Sequence, residues 1–97
     1  MPTYITLFSW TQKGIENVKE SPARLDAAKK LCQAAGGELT EFYTTMGRYD
    51  GVVLLELPND EAAAKVALAI GSGGSIRTET LRAFTEDEYR RIIGGLA

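Results

Sequence analysis

Histidine is absent from this 97-residue sequence, and cysteine occurs once, at Cys32. Without imidazole there is no His-based triad, no two-His-one-carboxylate iron site and no proximal-His haem ligand. A lone cysteine supports neither an internal disulfide nor a cysteine metal site. No metal and no cofactor is therefore expected. Charge of one sign is missing too: 11 Lys and Arg stand against 13 Asp and Glu, a net charge of −2, with no basic block. A nucleic-acid groove is not expected on such a surface. Nor is there a long hydrophobic run. The longest apolar stretch at helical spacing, Ala62 to Ile70, is broken by Lys65 and is too short to span a bilayer. The first residues lack the basic segment and apolar core of a signal peptide. These absences predict a cytoplasmic protein with no membrane partner.

What the chain does contain is ordinary for a folded protein. Hydrophobic residues make up 44% and charged residues 25%, which argues against disorder. The length predicts one domain, residues 1–97, close to the small end of the range. A chain this short leaves much of one sheet face uncovered.

Met46 to Pro58 organises the rest, because it joins a glycine-bracketed turn to the most hydrophobic run. Thr3 to Trp10 alternates and is rich in strand formers. Thr11 to Glu20 has Ile15 and Val18 at helical spacing but contains Gly14, which predicts a short helix or turn. Ser21-Pro22 predicts a helix start with Ser21 as N-cap. Leu25, Ala28, Leu31, Cys32 and Ala35 then share one side until Gly36-Gly37 ends the helix. Glu38 to Met46 reads as an edge strand, and Asp50 to Leu57, apolar on both faces, as a central one. Pro58-Asn59-Asp60-Glu61 stops that strand and caps a second helix through Asn59 or Asp60. After Gly71-Ser72-Gly73-Gly74, a fourth strand is predicted over Ser75 to Phe84. Thr85-Glu86-Asp87-Glu88 is a capping box for a terminal helix carrying Tyr89, Ile92 and Ile93 on one face.

The order β-α-β-β-α-β predicts a ferredoxin-like α+β domain, a four-stranded antiparallel sheet with helices on one face and an extra C-terminal helix. Alternation is read here as placing Ile5, Leu7, Val53, Leu55 and Leu57 under the helices. The other face would then hold Tyr4, Thr6, Phe8, Trp10, Phe42, Val52 and Leu54. Large apolar groups left open in this way predict a homodimer, or a higher oligomer, packed sheet to sheet. Thr44, Glu56, Thr78, Thr80 and Arg82 fall on the same face. A few polar groups among apolar walls suit a small-molecule ligand, with Thr6, Phe8, Trp10, Phe42, Glu56, Thr80 and Arg82 as its candidate contacts.

Three ordered segments of this sequence, Gly47-Arg48-Tyr49-Asp50, Pro58-Asn59-Asp60-Glu61-Ala62-Ala63-Ala64 and Arg77-Thr78-Glu79-Thr80-Leu81-Arg82-Ala83-Phe84, resemble the GYD family of small bacterial and archaeal proteins. The resemblance covers nearly the whole chain. It implies a dimeric α/β barrel, in which two sheets close face to face. It implies no reaction and no catalytic residues, because related domains include isomerases, monooxygenases, haem enzymes and ligand sensors alike.

Among the polar residues, Tyr49 and Asp50 could supply a phenol and a carboxylate to a cavity mouth, or simply build a turn in which Asp50 accepts backbone N–H bonds and Gly47 and Gly51 relax the torsions. Glu56 could act as a general base if a barrel interior raised its pKa, pair with Arg77 or Arg82, or simply be exposed near the strand end. Arg77, Glu79 and Arg82 suit an anionic ligand or cross-strand pairing. The glycine run after the second helix precedes a strand, the reverse of a phosphate-binding loop, and is rejected as one. Cys32 is expected in the core. Three functions stay open: a module binding a small apolar or carboxylated molecule, a cofactor-independent isomerase or monooxygenase using Glu56 or Tyr49 and Asp50 for proton transfer, and a purely structural assembly unit.

Overall fold

Strand-forming segments punctuated by glycine, proline and capping residues set the boundaries of this fold. The structure, a computed structural model, describes residues 1–97. Its elements are β1 (Thr3–Trp10), α1 (Gln12–Glu16), a 3-10 turn (Val18–Glu20), α2 (Ser21–Ala34), β2 (Glu38–Thr44), β3 (Gly51–Glu56), α3 (Asp60–Ser72), β4 (Ile76–Ala83) and α4 (Glu86–Gly94). The sheet is antiparallel in the order β2-β3-β1-β4, with β3 and β1 central. This is the ferredoxin-like α+β arrangement with an additional C-terminal helix, as the order of elements predicts.

Local chemistry accounts for the helix ends. The Asn59 side chain accepts the Ala62 N–H at 2.9 Å, with Asp60 and Glu61 in the first turn of α3. Gly36 adopts a φ of 89° just past α2, the left-handed geometry that ends a helix cheaply. Ser21 departs from its expected role. It is the first residue of α2, and its N–H already bonds the Val18 carbonyl across the 3-10 turn, so the chain enters α2 wound and without a side-chain cap.

The face assignment of β1 is corrected by the register. Thr6 pairs with Val53 and Tyr4 with Leu55, whereas Ile5 pairs with Leu54 and Leu7 with Val52. Directly paired residues share a face. Tyr4, Thr6, Phe8 and Trp10 therefore lie with Val53 and Leu55 beneath the helices, and Ile5, Leu7, Val52 and Leu54 line the open face. Both sets on β1 are apolar, so alternation alone does not reveal which one the helices cover. A β-bulge between Leu39 and Glu41 also breaks the alternation of β2. It brings Leu39, opposite Leu55, and Phe42, opposite Val53, onto the same helix-covered face.

The core is small: 11 of 97 residues are buried. Cys32 from the end of α2 and Ala63 and Val66 from the start of α3 meet over Tyr4, Leu55 and Leu57. α2 lies over β2 and α3 over β4, and α4 packs substantially on neither layer. The radius of gyration is 14.6 Å, against about 13 Å for a compact chain of this size.

Candidate functional site

The two long helices converge at one end of the sheet and diverge at the other. Between the start of α2 and the end of α3 they leave a cavity of about 370 Å³ against the sheet. β1 supplies Thr6, Phe8 and Trp10 to its floor, β2 supplies Leu39 and Phe42, and α2 supplies Leu25, Ala28 and Leu31 to the wall. The aromatic floor is ordered by mutual packing. Phe8 meets Trp10 edge to face at 6.1 Å and stacks with Phe42 at 6.0 Å. Gly51 makes room for that floor, since a Cβ there would stand 2.2 Å from the Phe8 ring.

Polar side chains in the cavity are few: Thr6, Ser21, Arg24, Ser75 and Thr78. The hydroxyls of Thr6 and Thr80 share a hydrogen bond of 3.0 Å on the floor. Arg24 is the single charged residue of the wall. Its Nη1 donates to the Asn17 carbonyl at 3.3 Å and its Nη2 to the Gly14 carbonyl at 3.5 Å, and Glu20 lies 3.9 Å away. These long contacts leave part of the five-donor guanidinium fork unused.

The residues expected to contact a ligand are divided by this geometry. Thr6, Phe8, Trp10 and Phe42 line the cavity, and Thr80 is bonded to Thr6 on the same face. That cavity lies between sheet and helices, not between two sheets, because the register turns this face inward. Arg82 shares the face but stands at its far end, 5.7 Å from the Tyr4 ring and 4.5 Å from that of Phe84, with Glu88 at 4.0 Å. Glu56 is exposed on the opposite face, opposite Thr3, and pairs with neither Arg77 nor Arg82.

Tyr49 and Asp50 are occupied in the loop before β3. The Asp50 carboxylate accepts the Trp10 N–H at 2.9 Å, a donor that β3 no longer reaches, and the Asp50 N–H donates to the Phe8 carbonyl at 2.8 Å. Tyr49 donates its hydroxyl to Glu79 at 3.1 Å. Gly47 takes a φ of 112°, whereas Gly51 has no positive φ and serves through its missing side chain. Glu56 lies six residues beyond Asp50, about 20 Å away along an extended strand.

Two features escaped the sequence reading. Arg24 falls on the same helical stripe as Ala28 and Leu31, a spacing that could have marked it as inward-facing. Tyr4, 2% exposed, donates to Asp60 at 2.5 Å. Burial, then the bond to the Asp60 carboxylate, pushes its phenol above the usual tyrosine range. Nothing short-range links positions so far apart, so only the fold reveals that pair. Cys32 is fully buried, as expected, and burial raises its thiol pKa.

Comparison with known proteins gives a consistent result. The family model described as GYD domain matches residues 4–93. The glutamine synthetase and cystathionine beta-lyase binding protein of Thermus thermophilus is 32% identical over 84 residues, 86% of this chain and 88% of the relative. A crystal structure of a protein from Thermus thermophilus superposes with a TM-score of 0.56 at 28% identity, covering 88% of this chain and 95% of that one. A feast or famine regulatory protein from M. tuberculosis, complexed with L-methionine, gives a TM-score of 0.63 at 17% identity. The match covers 90% of this chain but 54% of the regulator, and it concerns the fold alone.

Proposed function

The chain belongs to the GYD domain family, and from that premise we propose that it is a homodimeric binding module of the cytoplasm, paired through its open sheet face. In this reading each copy holds a small apolar or carboxylated molecule beneath its helices, and the pair docks onto a partner protein. The observation that carries it is the uncovered face. Ile5, Leu7, Val52 and Leu54 form one apolar surface across the two central strands, continued by Leu81 on β4 at 45% exposure. With only 11 residues buried, the isolated chain has little core to stand on. A second sheet adds the missing layer.

The relative named for binding glutamine synthetase and cystathionine beta-lyase supports a protein partner for this chain too. The lone, buried thiol suits a reducing compartment. Asp50 and Tyr49 are engaged by Trp10 and Glu79, and Glu56 is exposed on the face away from the cavity, which favours binding over catalysis by either. Light scattering on the purified protein, followed by pull-down of purified glutamine synthetase and of cystathionine beta-lyase, tests this reading. A dimer that retains either enzyme is the expected result. A monomer at micromolar concentration overturns the pairing, and a dimer that retains neither overturns the choice of partner.

A further inference from the structure

We infer that the cavity under the helices takes a monocarboxylic acid with a compact apolar body, its carboxylate bound by Arg24. The inference rests on the small-ligand part of the reading above and specifies the ligand chemistry. Three observations carry it. First, the volume of about 370 Å³ lies within the range of about 300–1,000 Å³ usual for ligand sites. Second, the floor is aromatic, the lining is mostly hydrophobic and the Thr6 hydroxyl is bonded to Thr80, so the interior favours a largely hydrocarbon ligand, with the hydroxyls of Ser21, Ser75 and Thr78 as its other polar groups.

Third, the wall carries one charge, and it is positive. Arg24 donates to the Asn17 and Gly14 carbonyls at 3.3 and 3.5 Å, long contacts to neutral groups that leave its charge uncompensated and part of its donor fork free. Its acidic neighbour Glu20 is 3.9 Å away with a side chain 74% exposed, where screening weakens the attraction. Ser21 and Pro22, at the positive end of α2, line the same end of the cavity. A single cation at the end of an apolar slot selects a ligand with one anionic head and no second charge. An ammonium group on the same ligand would find no carboxylate in the wall to receive it.

The sequence supplies its own reporter, because Trp10 is the only tryptophan and lies on the cavity floor. The experiment titrates the full chain with 3-phenylpropionate and, separately, with its uncharged isostere 3-phenylpropionamide. Trp10 fluorescence and amide chemical shifts are followed together. The expected result is saturable binding of both at α2 and β1, with the acid tighter by about tenfold or more through its charge-assisted bonds. Arg24→Gln should remove that preference, weakening the acid far more than the amide, and Arg24→Lys should keep part of it. Ala28→Phe should fill the slot and abolish both. If that variant does not fold, the wild-type shift map still localises the ligand. Equal affinities for acid and amide overturn the inference and leave the cavity reading intact. Binding of neither overturns the cavity reading as well. Shifts confined to Ile5, Leu7 and Leu54 move the site to the open face and also overturn the inference.

Discussion

Gly51 is a position where the missing side chain itself is what the fold requires. Its hypothetical Cβ meets two atoms of the Phe8 ring at 2.2 Å and the Tyr43 carbonyl at 2.9 Å, so alanine displaces the aromatic floor or the β2–β3 ladder. Overpacking of this kind costs about 1–3 kcal/mol. Gly51→Ala is expected to lower the urea midpoint correspondingly and to shift Trp10 emission, since Phe8 packs against Trp10. An unchanged midpoint would show that Phe8 moves without strain. The sequence marked this glycine as a turn residue. What it performs is close approach, which depends on a ring 43 positions away in the chain and is invisible until the strands are paired.

Tyr4 offers a pH-dependent test at the same scale. Its pKa is raised by burial and then by Asp60, so the folded state prefers the neutral phenol. The stability it contributes is therefore fully present below about pH 10, the ordinary tyrosine value, and is lost as pH rises through the higher folded value. Tyr4→Phe removes this dependence along with the bond to Asp60, a loss of about 1.5–3 kcal/mol for a hydrogen bond to a charged group. The difference in urea midpoint between wild type and Tyr4→Phe should shrink between pH 8 and pH 11.5. A difference that stays constant across that range would mean that the phenol is not desolvated in the folded state.

At the scale of elements, α4 is a helix that local chemistry makes and tertiary packing scarcely supports. Thr85 accepts the Glu88 N–H at 3.2 Å while the Glu88 carboxylate accepts the Thr85 N–H at 2.9 Å. The Thr85 amide holds the Glu88 pKa down, with Arg82 and Arg91 adding to it. A lowered carboxylate pKa contributes stability above the ordinary glutamate value, lost as pH falls through the folded one. Losing the Thr85 cap costs about 0.5–2 kcal/mol, so Thr85→Ala should speed amide exchange in α4 roughly 2- to 30-fold. Sheet amides should be unaffected, and acidification should mimic the effect in wild type. Equal acceleration throughout the chain would show that α4 unfolds only with the whole. This capping box was fully legible, because its signal is contained in four consecutive residues. So were the central position of β3 and the order of elements, and the cap of α3 was narrowed to Asn59 or Asp60, of which the structure uses Asn59. The face of β1 and the bulge in β2 were not. Both depend on which residues stand opposite each other, and an apolar-on-both-sides strand carries no record of that in its own alternation.

At the scale of the whole molecule, an open face and an extended helix ask for the same remedy. Leu54 sits opposite Ile5 in the middle of the uncovered sheet, and Tyr89, Ile92 and Ile93 of α4 are each about half exposed. Two copies related by a two-fold axis would cover the first with its own counterpart and bring the second against the partner. In such a self-complementary interface each substitution counts twice. Burying one leucine is worth about 1.5–3 kcal/mol, so replacing it by lysine on both sides removes at least about 3 kcal/mol, roughly a hundredfold in dimer affinity. Leu54→Lys is therefore expected to sediment as a monomer at concentrations where wild type is dimeric. Its far-UV circular dichroism should be that of a folded chain, since Leu54 faces away from the core of Tyr4, Leu55 and Leu57. The charge also leaves the cavity untouched, because Thr6, Phe8 and Trp10 point to the other side of the sheet. A Leu54→Lys monomer that still binds 3-phenylpropionate would separate assembly from ligand binding. A variant that stays dimeric would move the interface to α4 alone, where Ile92→Lys is the corresponding test.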